Sequence, residues 1–176
     1  YLKAILYPNV MFIENALKSY VIESLLKDSK SENFDIIFNK SLISYKAHSH
    51  GTRSYKDAYT KRMNLKIKIY SALVRDYHKR SVVSHFFDKD ISIPIWAIFE
   101  TLTLGEFGTL FECSSKTVKL YVSKIIKLPT NLDSDGMITQ FFIYTIKDLR
   151  NAIAHNNVIF DTRFKTGNIN NRLILL

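Results

Sequence analysis

The sequence predicts an all-α protein, a helical bundle whose helices are joined by long loops. Three observations carry that prediction. Apolar residues recur at three- to four-residue intervals over several long stretches, as one buried helix face requires. Proline and glycine stand where helices open or close. No internal repeat or low-complexity tract points to another architecture. At 176 residues, 47% hydrophobic and 13% aromatic, the chain is long and apolar enough for one domain with a real core, so 1–176 is read as a single unit.

The elements follow in order. Pro8 suits a first helical turn, and Val10, Ile13, Leu17, Val21 and Leu25 mark the buried face of a first helix running to about Lys27. Glu14 lies near that face, where it either pairs with Lys18 one turn on or turns toward a polar site. From about 28 to 55 the period fades into a long connection with a short apolar insert at 38–45. His48 and His50 lie in it, two apart and with no cysteine or acidic cluster beside them. They read as part of a mobile basic loop rather than a metal site.

A second helix spans about 56–80. Met63, Ile67, Tyr70, Val74 and Tyr77 hold one face, expected to be buried. Lys61, Lys68, Arg75 and Lys79 fall on the opposite face, a basic stripe that either follows an RNA backbone or is an ordinary solvated surface. A loop is expected at 85–90. Pro94 then opens a short apolar helix, and Gly105 ends it in a left-handed cap. Glu100 sits in the middle of this apolar segment. Burial would oblige it to find a partner, in a structural salt bridge or by holding an active-site arginine or histidine. Ser114 or Ser115 caps a further helix to about Lys127, and Pro129 with 131–136 breaks the chain. In the last long helix Ile138, Phe142, Ile146, Leu149 and Ile153 face the core; from Val158 to Leu176 no clear period remains.

Composition narrows the function classes. Twenty-five basic against sixteen acidic residues give a net charge of +9, which favours a polyanionic partner such as nucleic acid or an anionic membrane face, the alternative being a soluble basic protein without one. The lone Cys113 forbids an internal disulfide and a four-cysteine metal site, and fits a reducing cytosol. No apolar run approaches the roughly 18 residues of a membrane span, no signal peptide is present, and no glycine-rich phosphate loop suggests nucleotide binding. No cofactor and no membrane partner are therefore expected. The chain opens on Tyr1 rather than methionine, which reads as the start of a fragment of a longer protein.

The segment Asp148-Leu149-Arg150-Asn151-Ala152-Ile153-Ala154-His155-Asn156-Asn157 is the most informative about chemistry. Arginine can grip a phosphate through two parallel hydrogen bonds, and histidine can exchange a proton near neutral pH. Together they are a minimal kit for RNA cleavage. Spacing alone is weak: seven arginines and five histidines give roughly 0.2 such pairs by chance, and Arg80 with His85 repeats the interval at an apparent helix end. Context separates the two, because Arg150 and His155 enclose Asn151 and small Ala154 inside a long amphipathic pattern. Asn151 and His155 stack one turn apart, whereas Arg150 and His155 diverge by about 140° on a regular helix. Fraying at the helix end, or two helices meeting about a two-fold axis, would bring them onto one phosphate.

With these residues in view, the chain resembles the Abi-like family of bacterial abortive-infection proteins, a branch of the helical HEPN superfamily. The resemblance rests on Ile13-Glu14 with Lys18, on Pro94-Ile95-Trp96 leading to Glu100 and to Gly105 through Gly108, and on Leu149-Arg150-Asn151 with Ala154-His155. Lys18 stands where the family pattern suggests arginine, and an N-terminal portion is expected before Tyr1. The resemblance implies a HEPN-like bundle, frequently a homodimer, with a metal-independent endoribonuclease site at the subunit interface. Arg150 would neutralise the scissile phosphate, His155 would act as general base or acid, and Asn151 would orient either, with Glu14 and Glu100 in support. It also implies a toxin-like protein restrained by an RNA or protein antitoxin. The alternative keeps the fold without the chemistry, as an RNA-binding or scaffold module of such a system.

Overall fold

The computed structural model of the protein describes residues 2–129 and 131–155. Eight α-helices and a short 3-10 turn make up the described elements, with no β-strand among them. The all-α expectation therefore holds, though several boundaries differ for identifiable reasons.

Helix α1 (Leu2–Ser29) begins a turn and a half earlier than Pro8 suggested, with the proline inside it. Asn9 Nδ2 donates to the Ile5 carbonyl beside the position where proline has no N–H to offer. Its core face carries Val10, Glu14, Leu17, Val21, Ser24 and Leu25, close to the predicted period. The expected long connection after α1 is in fact structured. Asn33 accepts from the backbone N–H groups of Asp35 and Ile36 at 2.8 and 3.2 Å, capping α2 (Phe34–Lys40), whose Phe34, Ile37 and Phe38 are buried. Seven residues are too few for a 3.6-residue period to stand out. A 3-10 turn (Ser44–Ala47) follows, and His48 and His50 beyond it are exposed.

In α3 (Arg53–Asp76) the predicted face is rotated. Leu65, Ile69, Ala72 and Leu73 are buried, together with Arg62 and Asp76. Met63, Ile67, Tyr70 and Val74 face outward, Ile67 at 62% and Val74 at 68% exposure. Both rows have helical spacing, and the polar residue that decides between them is Arg62. Its Nε donates to the Leu42 carbonyl at 2.7 Å and its Nη2 to the Phe38 carbonyl at 2.8 Å, with the guanidinium 3.7 Å over the Phe38 ring. These bonds satisfy carbonyls at and beyond the end of α2, which turns the Arg62 side of α3 inward.

The expected loop at 85–90 is largely helix α4 (Ser81–Asp88), so Arg80 precedes a helix rather than closing one. Arg80 is held by Asp76 at 3.1 Å and donates to the Glu100 carbonyl at 3.0 Å, a structural role. Pro94 lies just before α5 (Ile95–Thr101), tied to the connection between α1 and α2 by Ile95 N–H to the Glu32 carbonyl and Phe34 N–H to the Ile93 carbonyl. Gly105 does not end a helix. Thr103 and Glu106 form a reciprocal capping box that opens α6 (Leu104–Cys113), with Gly105 in its first turn.

Ser115 caps α7 (Lys116–Ile125) as expected. Ahead of α8 (Met137–Ala154) the buried Asp133 carboxylate accepts from Ile138 N–H, Thr139 N–H, Thr139 Oγ1 and Ser123 Oγ. Gly136, at φ 78°, makes the turn there; a side chain at that position would also collide with Lys119.

Packing centres on α1, which lies against α7 and α8, while α6 sits between α3 and α8 and α5 against α3. The main core joins Leu17, Leu25, Ile69, Ile98, Phe107, Phe111 and Ile143. A smaller cluster of Val10, Ile146 and Ile153, supported by Leu6, Ile13, Phe142 and Leu149, clamps the start of α1 to the end of α8. That clamp places Glu14 against Arg150.

Candidate functional site

Three of the predicted residues, Arg150, Asn151 and His155, gather at the end of α8, and Glu14 joins them from α1. Glu14 is buried with its side chain at 7% exposure. Lys18 Nζ donates to Oε1 at 2.6 Å, while Oε2 faces Arg150 Nε at 3.9 Å. Glu14 thus pairs along its own helix and also reaches across to Arg150. At 3.9 Å the second contact is an ion pair without a hydrogen bond, and Glu14 Oε2 and Arg150 Nε are both buried without a hydrogen-bond partner among the described residues. Charge attraction holds Arg150 on the α1 side and leaves its guanidinium free to shift.

Arg150 Nη1 donates to Asn151 Oδ1 at 3.3 Å, and the arginine side chain is 38% exposed. Of its nitrogens, Nε is buried and Nη1 is engaged by Asn151, which leaves Nη2 without a hydrogen bond among the described residues. His155 caps α8: its backbone N–H donates to the Asn151 carbonyl at 2.9 Å, and the residue is exposed. Helix α8 ends at Ala154, and Asn156 and Asn157, where fraying was expected, lie outside the described residues. Ile146, Ala152 and Ile153 are buried behind this surface, so the polar residues sit on a packed support.

Glu100 is not part of this constellation. It is exposed rather than buried, and α5 packs against α1, α2 and α3. The surrounding Ile95, Ala97, Ile98 and Phe99 are buried instead, because a seven-residue helix turns one position out of each turn to solvent. Its carbonyl, not its carboxylate, meets Arg80.

The predicted basic stripe divides in two, and Lys79 lies past the end of α3, which stops at Asp76 rather than at Arg80. Lys61 is bound to Glu112 at 2.5 Å, and Arg75 grips Asp76 through Nε and Nη2 at 2.8 and 3.3 Å. Hydrogen bonding from Arg75 outweighs burial and holds the Asp76 carboxyl below its ordinary range. Lys68 and Lys79 are exposed without an ion pair among the described residues. Lys61 and Lys68 border one cavity that Arg75 and Lys79 do not reach.

Sequence reasoning missed the polar group on which Lys61 converges. Glu112 on α6 receives Lys61 on one oxygen and the Tyr144 hydroxyl, from α8, on the other at 3.2 Å. Burial, with help from the Glu112 charge, pushes the Tyr144 phenol up to about 12, so it stays a donor. Beneath it, burial lowers the ammonium of Lys119 and raises the Cys113 thiol to about 11. No local pattern joins these residues, since they come from four helices. Among the described residues no group of three His, Cys, Asp or Glu side chains is placed to hold a metal ion, and no helix is long and apolar enough to cross a membrane.

No curated protein and no solved structure matches the chain. The model of the family described as Abi-like protein matches residues 1–161, a span that takes in Glu14, Glu100 and the whole Arg150–His155 segment, and the chain belongs to that family.

Proposed function

We propose that this protein acts in abortive-infection defence against phage as a metal-independent endoribonuclease, with Arg150 and His155 completing their site across a homodimer. The observation that carries the reading is the placement of Arg150, Asn151 and His155 at the exposed end of α8, with Arg150 held by buried Glu14. Arg150 would bind the phosphate oxygens, and one His155 would take the proton of the ribose 2′-OH as it attacks phosphorus. The His155 of a second copy would protonate the departing 5′-oxygen. The products are a 2′,3′-cyclic phosphate and a 5′-OH, so DNA is not a substrate.

A second copy is supported by the surface beside the site. Leu2, Ile5 and Phe12 on the first half of α1 are exposed, Phe12 at 74%, next to the cluster that joins α1 to α8. An isologous contact there would bring two arginines and two histidines together. The restraining partner in the cell would be an RNA or protein antitoxin.

The test is incubation of purified wild type and His155→Ala with total bacterial RNA in EDTA, followed by mapping of new ends. Cleavage by the wild type alone, with cyclic-phosphate ends, is the expected result. Absence of cleavage from a folded, RNA-binding wild type would favour the second reading, a non-catalytic RNA-binding or scaffold module. That reading draws on the two uncommitted lysines, Lys68 and Lys79.

A further inference from the structure

The cavity between α3, α6 and α8 lies outside the Arg150 constellation, yet one face of α8 joins them. At 100° per residue, Tyr144, Asn151 and His155 fall within about 40° of one another, so they line a single stripe of the helix. Tyr144 is at the cavity and His155 at the helix end, about 16 Å away at 1.5 Å per residue. A single strand lying along that stripe would pass from one to the other.

We propose that this cavity is a subsite for one unstacked nucleotide of the RNA, selecting a base with an exocyclic amine. The inference rests on the RNA-directed reading of the α8 site. The cavity measures about 460 Å³, within the range of small-ligand pockets. Its walls supply what such a nucleotide needs. Asn64 offers an amide with no partner among the described residues, suited to the paired donor and acceptor of an adenine edge. Glu112, fixed by Lys61 and Tyr144, presents carboxylate oxygens that accept from an amino group. Lys68, without an ion pair among the described residues, is placed for a phosphate.

The lining also carries two further carboxylates. Asp57 faces Arg53 at 3.8 Å, and Glu106 is engaged by Thr103 in the capping box. Where cytosine N4 or adenine N6 would donate, uracil has the O4 carbonyl, so at that position it would meet Glu112 acceptor to acceptor and be disfavoured.

The experiment measures binding of labelled oligoadenylate, oligocytidylate and oligouridylate to the His155→Ala chain, over a range of salt. Oligoadenylate and oligocytidylate are expected to bind about tenfold more tightly than oligouridylate. Adding Asn64→Ala should lower oligoadenylate toward oligouridylate, while oligocytidylate keeps the preference that Glu112 confers. Adding Lys68→Ala should weaken all three alike and reduce the salt slope by about one. Equal affinities for the three oligomers, no binding of any, or affinities indifferent to both substitutions would overturn the subsite. The two proposals fail separately. RNA cleavage by the wild type that ignores Asn64→Ala and Lys68→Ala removes the subsite alone, whereas base-selective binding by a chain that cuts no RNA removes the nuclease alone.

Discussion

Glu14 Oε2 stands 3.9 Å from Arg150 Nε, across the contact of α1 with α8 and 136 positions away in sequence. The carboxylate is also shared with Lys18, so one buried anion serves two cations. Arg150 is therefore steered by an element outside the motif that contains it.

Replacing that anion tests the steering. Glu14→Gln keeps the shape and removes the charge. Both cations are partly exposed, so the stability loss should be about 1 kcal/mol, as read by urea unfolding. RNA cleavage should fall by roughly tenfold or more through kcat, because phosphate neutralisation in the transition state depends on where the guanidinium sits. Partial recovery in Glu14→Asp would mark a positioning residue, and unchanged kcat in Glu14→Gln would sink the idea.

Asp133 predicts acid sensitivity. Burial opposes its charge, but hydrogen bonds from Thr139, Ser123 and the Ile138 and Thr139 N–H groups prevail and hold the carboxyl below its ordinary value. The unfolded chain, with an ordinary carboxyl near 3.9, then binds the proton more readily than the folded one. The stabilisation is complete above about pH 5 and is lost as pH falls through the ordinary value and then the lower folded one. Asp133→Asn should cost about 1–3 kcal/mol at neutral pH and flatten that acid slope, in denaturation curves collected across pH.

Gly108 lets α6 approach α8. A Cβ there would lie 2.8 Å from Tyr144 Cε1. Gly108→Ala is expected to lose about 1–3 kcal/mol and to displace the Tyr144 ring, visible in near-ultraviolet circular dichroism. An unchanged melting temperature and spectrum would mean that the helix pair relaxes freely.

The rotated face of α3 gives a direct contrast. Ile69 is fully buried and Ile67 is mostly exposed. Ile69→Ala should cost about 2–5 kcal/mol, whereas Ile67→Ala should stay within roughly 0.5 kcal/mol. Equal losses in thermal unfolding would contradict the assignment of the buried face.

These results show what local pattern reveals. The faces of α1 and α8 were legible because each is long and carries its apolar residues on one side. Helix α2 was not, since its seven residues depend on the Asn33 cap and on Arg62 from another helix. The start of α6 was legible in principle, through Thr103 and Glu106 three residues apart, but Gly105 between them read as a stop. Glu100 looked buried because its neighbours are apolar, yet a short helix still turns one position outward.

By itself the sequence determined the helical class, the long helices and the Arg150–Asn151–His155 grouping, because helix periodicity and side-chain chemistry are properties of a local stretch. Tertiary structure alone decided which side of α3 is buried, that Glu14 rather than Glu100 meets Arg150, and that Lys61, Glu112 and Tyr144 converge. Those outcomes depend on desolvation and on carbonyls and charges brought from other helices, and no interval along one chain segment encodes them.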